Sequence, residues 1–290
     1  MNGLLIVDKP AGMTSHDVVS IVRRATGERS IGHMGTLDPM ATGVLPLLLG
    51  KYTRLAQFFG AAEKEYVGTI RFGFATDTYD AEGEAMAEPK PLIHSLEQLR
   101  EMAKVFKGEV DQVPPVYSAK KIQGVPAHKL ARAGAEVPVK AAKITIHHFG
   151  LESLAGDEAA FRMRVSAGGY VRSVAHELGE LAGCGAHLSM LRRTHAGPFS
   201  LEQSITVEQL KQLTPDDVAA RLPHPRTILP EMPSVTVDEH TAGRLRNGMQ
   251  VNLPDFSQAA MVKIFTSPVD LMAIGRRVAG TLMQPIVVMG

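Results

Sequence analysis

The sequence predicts an α+β chain folded in two parts, and three observations carry that prediction. Apolar residues alternate with polar ones in some stretches and recur every three to four residues in others, so strands and helices both occur. Four prolines, Pro223, Pro225, Pro230 and Pro233, crowd one segment and mark a linker. Beyond them come short apolar runs punctuated by Gly243, Gly248, Gly275 and Gly280, the pattern of a small β-rich unit. With 21% charged and 44% hydrophobic residues among 290, the chain is long enough for a real core, and disordered, collagenous and coiled-coil classes are excluded.

Residues 32–50 hold Gly32, Gly35, Gly43 and Gly50 with Pro39 and Pro46, too many breakers for one helix or strand, and read as a structured loop. Asp38 precedes Pro39, which pushes it out of helical geometry and fixes its carboxylate on that loop. Such an aspartate serves as a turn or cap, or as a catalyst, and spacing does not choose between them. Lys64-Glu65-Tyr66-Val67-Gly68 opens a strand, where a tyrosine is ordinarily half-buried packing. Leu96, Leu99, Ala103 and Phe106 give a helix begun by a Ser95/Gln98 capping box and stopped by Gly108. Phe161, Met163, Val165 and Ala167 alternate with Arg162, Arg164 and Ser166, a strand with one wet, basic face. Val171, Val174, Ala175, Leu178, Leu181 and Ala182 form a helix ended by Gly183. Arg172 falls in its first turn after the Gly168-Gly169 pair, placed either for a two-pronged grip on a carboxylate or phosphate, or for a surface salt bridge. Runs at 262–265 and 286–289 supply strands of the small unit.

The formal net charge of +1 excludes a uniformly basic nucleic-acid binder, yet it arises by cancellation: residues 61–115 carry −5 and residues 116–150 carry +5. The basic block of Lys120, Lys121, Lys129, Arg132, Lys140 and Lys143 is either a solvated face or a phosphate-binding one. A single cysteine, Cys184, forms no internal disulfide, which fits a reducing cytoplasm, and neither a secretion signal nor a membrane span is visible. Five histidines between His147 and His195 lack the spacing of a zinc site. No GxGxxG, P-loop or GxSxG is present, which weighs against nucleotide cofactors, phosphoryl transfer and serine hydrolysis. The residues taken alone lead to a two-domain cytoplasmic protein with a candidate polyanion site.

The run Gly32-His33-Met34-Gly35-Thr36-Leu37-Asp38-Pro39-Met40-Ala41-Thr42-Gly43-Val44-Leu45-Pro46 resembles the catalytic motif of the TruB family, the bacterial tRNA pseudouridine-55 synthases. Asp8-Lys9-Pro10-Ala11-Gly12, Lys64-Glu65-Tyr66, Phe74-Ala75-Thr76-Asp77-Thr78-Tyr79-Asp80, Gln112-Val113-Pro114-Pro115-Val116-Tyr117-Ser118-Ala119-Lys120-Lys121, Gly169-Tyr170-Val171-Arg172-Ser173 and Leu188-Ser189-Met190-Leu191-Arg192-Arg193 resemble further family motifs in family order. The resemblance implies a catalytic domain over 1–229 with a mixed, mainly antiparallel sheet and flanking helices, a mobile thumb at about 114–143, and a small PUA-like domain over 230–290. It implies isomerisation of a T-loop uridine without cofactor or metal.

On the same resemblance Asp38 is the essential aspartate, Tyr66 the tyrosine that stacks on the base, and Arg172 the arginine that pairs with the aspartate. His33 fills the gap left by the extruded uridine and Leu191 lines the base pocket. Lys9, Lys64, Tyr170, Lys120, Lys121 and Lys129 are expected to contact RNA, the last three from the thumb. Gly169 stands where the family usually has threonine, removing a hydroxyl and adding flexibility, and His128 where the thumb commonly has tyrosine. The implied partner is the T arm of tRNA, met by a cytoplasmic monomer with no membrane and no obligatory protein partner. The rival readings are a guide-RNA-dependent pseudouridine synthase, an RNA-binding or tRNA-folding chaperone with secondary catalysis, and a His-dependent metallohydrolase.

Overall fold

Alternation of faces organises the fold from its first strand. The computed structural model describes residues 1–117, 121–122, 125–126, 130, 140–254 and 257–289, with only the backbone at 121, 122, 125 and 126. Strand β1 (Gly3–Lys9) sends Leu5 and Val7 to one side and Leu4 and Ile6 to the other, and all four are buried. A strand apolar on both faces needs cover on both.

That cover comes from the elements that follow. Helix α1 (Ser15–Thr26) starts at a Thr14/Asp17 capping box and ends at Gly27, which is left-handed at φ 68°. Then come β2 (Ile31–His33), β3 (Thr42–Leu49), β4 (Lys64–Phe72), α2 (Leu96–Ala103), β5 (Gly108–Gln112), β6 (Lys121–Ile122), β7 (Val125–Pro126), β8 (Ala142–Ala155), β9 (Glu158–Val165) and α3 (Val171–Leu181). After α3 run β10 (Ala186–Ala196), β11 (Phe199–Ser200), β12 (Ile205–Thr206), β13 (Ser234–Thr236), β14 (Val251–Asn252), β15 (Met261–Phe265), β16 (Leu271–Ala279) and β17 (Leu282–Val288).

The larger sheet has the order β12-β1-β3-β10-β4-β9-β8-β5, with β2 beside β3 and β11 beside β10. β1 with β12 and β3 with β10 run parallel and the other pairs antiparallel, the mixed, mainly antiparallel sheet expected. Val18 and Val22 of α1, Leu99 and Ala103 of α2, and Val174 and Leu178 of α3 pack on one face. The other face meets Phe265, Leu271, Ile274 and Val287 of a five-stranded sheet ordered β13-β15-β16-β17-β14. The proline-rich segment is packed between the two: Ile228 and Leu229 are buried there, and Lys263 Nζ donates to the carbonyls of Arg226 at 2.6 Å and Ile228 at 2.8 Å.

Residues 32–50 are not one loop. Strand β3 runs through Gly43 and Pro46 because Val44, Leu45, Leu47, Leu48 and Leu49 are buried on its two faces. Its second edge pairs with β10 at Thr42 and Gly43 and with β2 at Leu47 to Leu49, so Pro46 sits where no ladder donor is required. The basic face expected of β9 is neutralised: Arg162 lies 3.2 Å from Glu152 and Arg164 lies 3.7 Å from Glu63. No helix among the described residues is long and apolar enough to cross a membrane.

Candidate active site

The loop between β2 and β3 carries Asp38 and is tied from behind at almost every carbonyl. Ser15 Oγ, at the start of α1, donates to the Leu37 carbonyl at 3.1 Å and accepts from the Leu37 N–H at 2.9 Å. Arg193 of β10, 1% exposed, donates to the carbonyls of Gly35 at 2.9 Å, Thr36 at 3.4 Å and Val44 at 2.7 Å. The Gly12 N–H donates to the Pro39 carbonyl at 2.9 Å. Lys9 is fully buried and its Nζ donates to the carbonyls of Pro10 at 2.9 Å, Met13 at 2.5 Å and Pro39 at 3.1 Å. Residue 38 is thus fixed between neighbours that are themselves held.

Arg172 meets it from the first turn of α3. Nε lies 2.9 Å from Asp38 Oδ2 and Nη2 lies 3.3 Å from Oδ1, a two-pronged contact. Nη1 lies 3.3 Å from Asp80 Oδ2 and donates to the Thr78 carbonyl at 2.9 Å; Nη2 also donates to the Tyr117 carbonyl at 2.9 Å. Each of the three guanidinium nitrogens therefore faces at least one oxygen, as a side chain 5% exposed requires. Asp80 is itself anchored by Thr78 Oγ1 at 2.6 Å and the Glu82 N–H at 3.1 Å.

Charge balance follows from this crowding. Burial pushes the Asp38 carboxyl above its ordinary value, Arg172 pulls it back, and Asp80 pushes it up again, so the net direction is upward. Lys9 is pushed down to about 8 by burial, with Asp38 and Glu82 holding it protonated at neutral pH. Burial and then Arg193 lower the Lys64 ammonium, which donates to the Ala62 carbonyl at 2.7 Å. Partial desolvation, then Arg193 and His16, lower the imidazole of His33, which stands exposed at the end of β2.

Two cavities meet at the Asp38–Arg172 pair. One, of about 520 Å³, is lined by Lys64, Tyr66, Tyr170, Leu191 and Arg193. The other, of about 720 Å³, is lined by His16, His33, Thr78, Asp80, Glu82 and Tyr117. The structure thus brings Asp38, Arg172, Tyr66, Lys64, Tyr170 and Leu191 together, with His33 on the adjoining side. Tyr66 stands opposite Arg193 and Leu191 opposite Gly68 across β4 and β10, which is how the sheet brings Tyr66 and Leu191 to one cavity.

Lys9 departs from expectation. It was expected to contact RNA, but each of its three N–H groups is committed to a backbone carbonyl out of reach of solvent, so it is a strut of the loop. Gly169 also differs from expectation. A Cβ there would come 2.4 Å from Val165 Cγ2, so it is a close approach and not a loose joint. Lys120, Lys129 and His128, like the side chain of Lys121, lie outside the described residues. Sequence reasoning gave no role to Asp80, Arg193 or Gln112, although each stands in one of the motifs that carry the resemblance. Gln112 exchanges hydrogen bonds with the Tyr170 backbone, 2.7 Å from its N–H and 3.0 Å to its carbonyl. Among the described residues no three His, Cys, Asp or Glu side chains stand together to hold a metal ion.

A family model described as TruB family pseudouridylate synthase (N terminal domain) matches residues 23–171, and one described as tRNA pseudouridylate synthase B C-terminal domain matches residues 172–230. The chain is 45% identical to tRNA pseudouridine synthase B of Solibacter usitatus (strain Ellin6076), with 100% of both chains covered. It is 40% identical to the protein of that name from Geotalea uraniireducens (strain Rf4), covering 98% of this chain and 90% of that one. Among solved structures, the archaeal box H/ACA sRNP Nop10-Cbf5 complex shares the fold at a TM-score of 0.69 and 24% identity, over 99% of this chain and 86% of that one.

Proposed function

The chain belongs to the TruB family and is an isomerase that turns a uridine of tRNA into pseudouridine; we propose that the uridine is that at position 55 of the T loop, that it is flipped out of the loop, and that Asp38 acts on it. The observation that carries this reading is the carboxylate of Asp38, gripped along one edge by Arg172 and open, at 34% side-chain exposure, toward the cavities on its other side. A cavity of about 520 Å³ is of the size that holds one small ligand, and Tyr66 and Leu191 give it the apolar walls a pyrimidine needs.

The isomerisation breaks the bond from uracil N1 to C1′, turns the base, and joins C5 to C1′; C5 loses a proton and N1 gains one, so atoms and charge balance. An ionised carboxylate can attack C1′ or C6, or take the C2′ proton, and each role needs the lone pairs that Arg172 leaves free. The guanidinium only donates, so it favours the carboxylate form at the moment of reaction. Extrusion of the uridine costs a few kcal/mol of lost stacking. His33, on the adjoining cavity, is the group proposed to occupy the gap. We further propose that the catalytic domain spans 1–229 and the appended PUA-like domain 230–290, and that the chain works as a cytoplasmic monomer without an obligatory protein partner.

The reading is tested with T-arm stem-loops in which one uridine at a time is retained and pseudouridine is mapped chemically. Conversion is expected only when the retained uridine is at position 55; equal conversion at any other loop position would overturn the assignment.

A further inference from the structure

Two aromatic rings outside the reacting cluster stack on one another between its parts. Tyr79 belongs to the turn that supplies Thr78 and Asp80, and His176 lies on α3 one turn beyond Arg172, on the same face of the helix. The rings are parallel to within 10°, with centroids 3.8 Å apart. Tyr79 takes a left-handed backbone, φ 64°, which non-glycine residues seldom adopt. Its N–H donates to the Thr76 carbonyl at 3.1 Å and its carbonyl accepts from the Leu188 N–H at 3.0 Å.

The contacts of the turn flank that ring. The Thr78 carbonyl and the Asp80 carboxylate, on either side of Tyr79, both meet Nη1 of Arg172. His176 Nδ1 is buried without a hydrogen-bond partner among the described residues, and its Nε2 lies 3.6 Å from Glu180, so stacking and not hydrogen bonding places the ring. Neither ring lines either cavity at Asp38, so neither touches the reacting atoms.

We infer that the Tyr79–His176 stack is a clamp that holds residues 76–80 against α3 and so fixes the fork of Arg172. With Nη1 locked by the turn, Nε and Nη2 keep their aim at the two oxygens of Asp38. Both are positioning residues, and the inference rests on the proposed role of Asp38.

The test is steady-state kinetics on T-arm RNA with His176→Leu, which keeps volume without a ring, Tyr79→Ala, Tyr79→Phe and His176→Phe, run beside Asp38→Asn. Loss of the stack is expected to lower kcat about three- to tenfold, the range set by one aromatic pair. KM should stay within about twofold, since both rings lie away from the substrate. Both phenylalanine variants restore the stack and should stay within about twofold of the unsubstituted protein in kcat. Unchanged kcat in His176→Leu and Tyr79→Ala, or phenylalanine variants as slow as these, would overturn the clamp. An active Asp38→Asn would instead overturn the reading on which it rests. If Tyr79→Ala does not fold, His176→Leu against His176→Phe decides alone.

Discussion

At the residue scale the site turns on one guanidinium shared by two acids. Arg172 faces two carboxylates, Asp38 and Asp80, and burial pushes Asp38 upward. With the ionised carboxylate of Asp38 as the proposed working form, the rate is expected to fall as pH falls through a value above the ordinary carboxylate range near 3.9. Lys9, at about 8, loses its proton on the alkaline side, and with it one of the donors that hold Pro10, Met13 and Pro39. A bell-shaped profile of kcat/KM is expected, and Lys9→Met should be slower and lose the alkaline limb; a limb unchanged in that variant would clear Lys9 of the role. That Asp38, Tyr66 and Arg172 stand at one cavity was legible because the motifs that carry the resemblance name them. Lys9 was not, because a lysine that ends a strand reads the same whether its ammonium snorkels to water or is capped by carbonyls. Only packing from α1 and the loop decides that. Arg193 and Asp80 act on other protein groups, and spacing along a chain carries no trace of such partners.

At the element scale the decisive seam is between β3 and β10, where parallel pairing at Thr42 and Gly43 brings the Asp38 loop beside Leu191 and Arg193. Register shifts between Leu188 and Met190 and between Arg193 and His195 bracket these residues on β10, and such bulges re-aim side chains. Gly43 makes the close approach possible: it sits at φ 105°, and a Cβ would fall 2.1 Å from the Arg193 carbonyl oxygen. Gly43→Ala is expected to destabilise the fold by more than about 1 kcal/mol, through backbone strain plus the clash, and to slow catalysis as well. Urea unfolding within about 0.5 kcal/mol of the unsubstituted protein would contradict this account. Helices α2 and α3 were legible, the first from its capping box and periodicity and the second from periodicity, because those signals are local. Strand β3 could not: its glycine and proline look like breakers until β1, β2 and β10 are seen to leave the proline's edge position free.

At the scale of the whole molecule, neutrality conceals a division of labour. The described surface of β9 pairs its arginines with glutamates, whereas residues 116–150 carry an excess of basic charge. Replacing Lys120, Lys121 and Lys129 by alanine is expected to reduce the slope of log affinity against log salt by up to about 2, near 0.7 for each phosphate left unneutralised. An unchanged slope would return that stretch to a solvated face. The two-part architecture was legible from the change in strand pattern after the prolines, but the packing was not. Ile228, Leu229 and Lys263 bind the intervening segment into the interface, a three-dimensional fact no local pattern encodes. The proposed reaction is carried out by this chain alone, with one carboxylate, on the glycosidic bond of a tRNA uridine. Its most direct test is tritium release from T-arm RNA labelled at uridine C5, with no added protein, guide RNA, metal or cofactor. One equivalent is expected from the unsubstituted protein and none from folded Asp38→Asn; full release by Asp38→Asn would contradict the role proposed for Asp38.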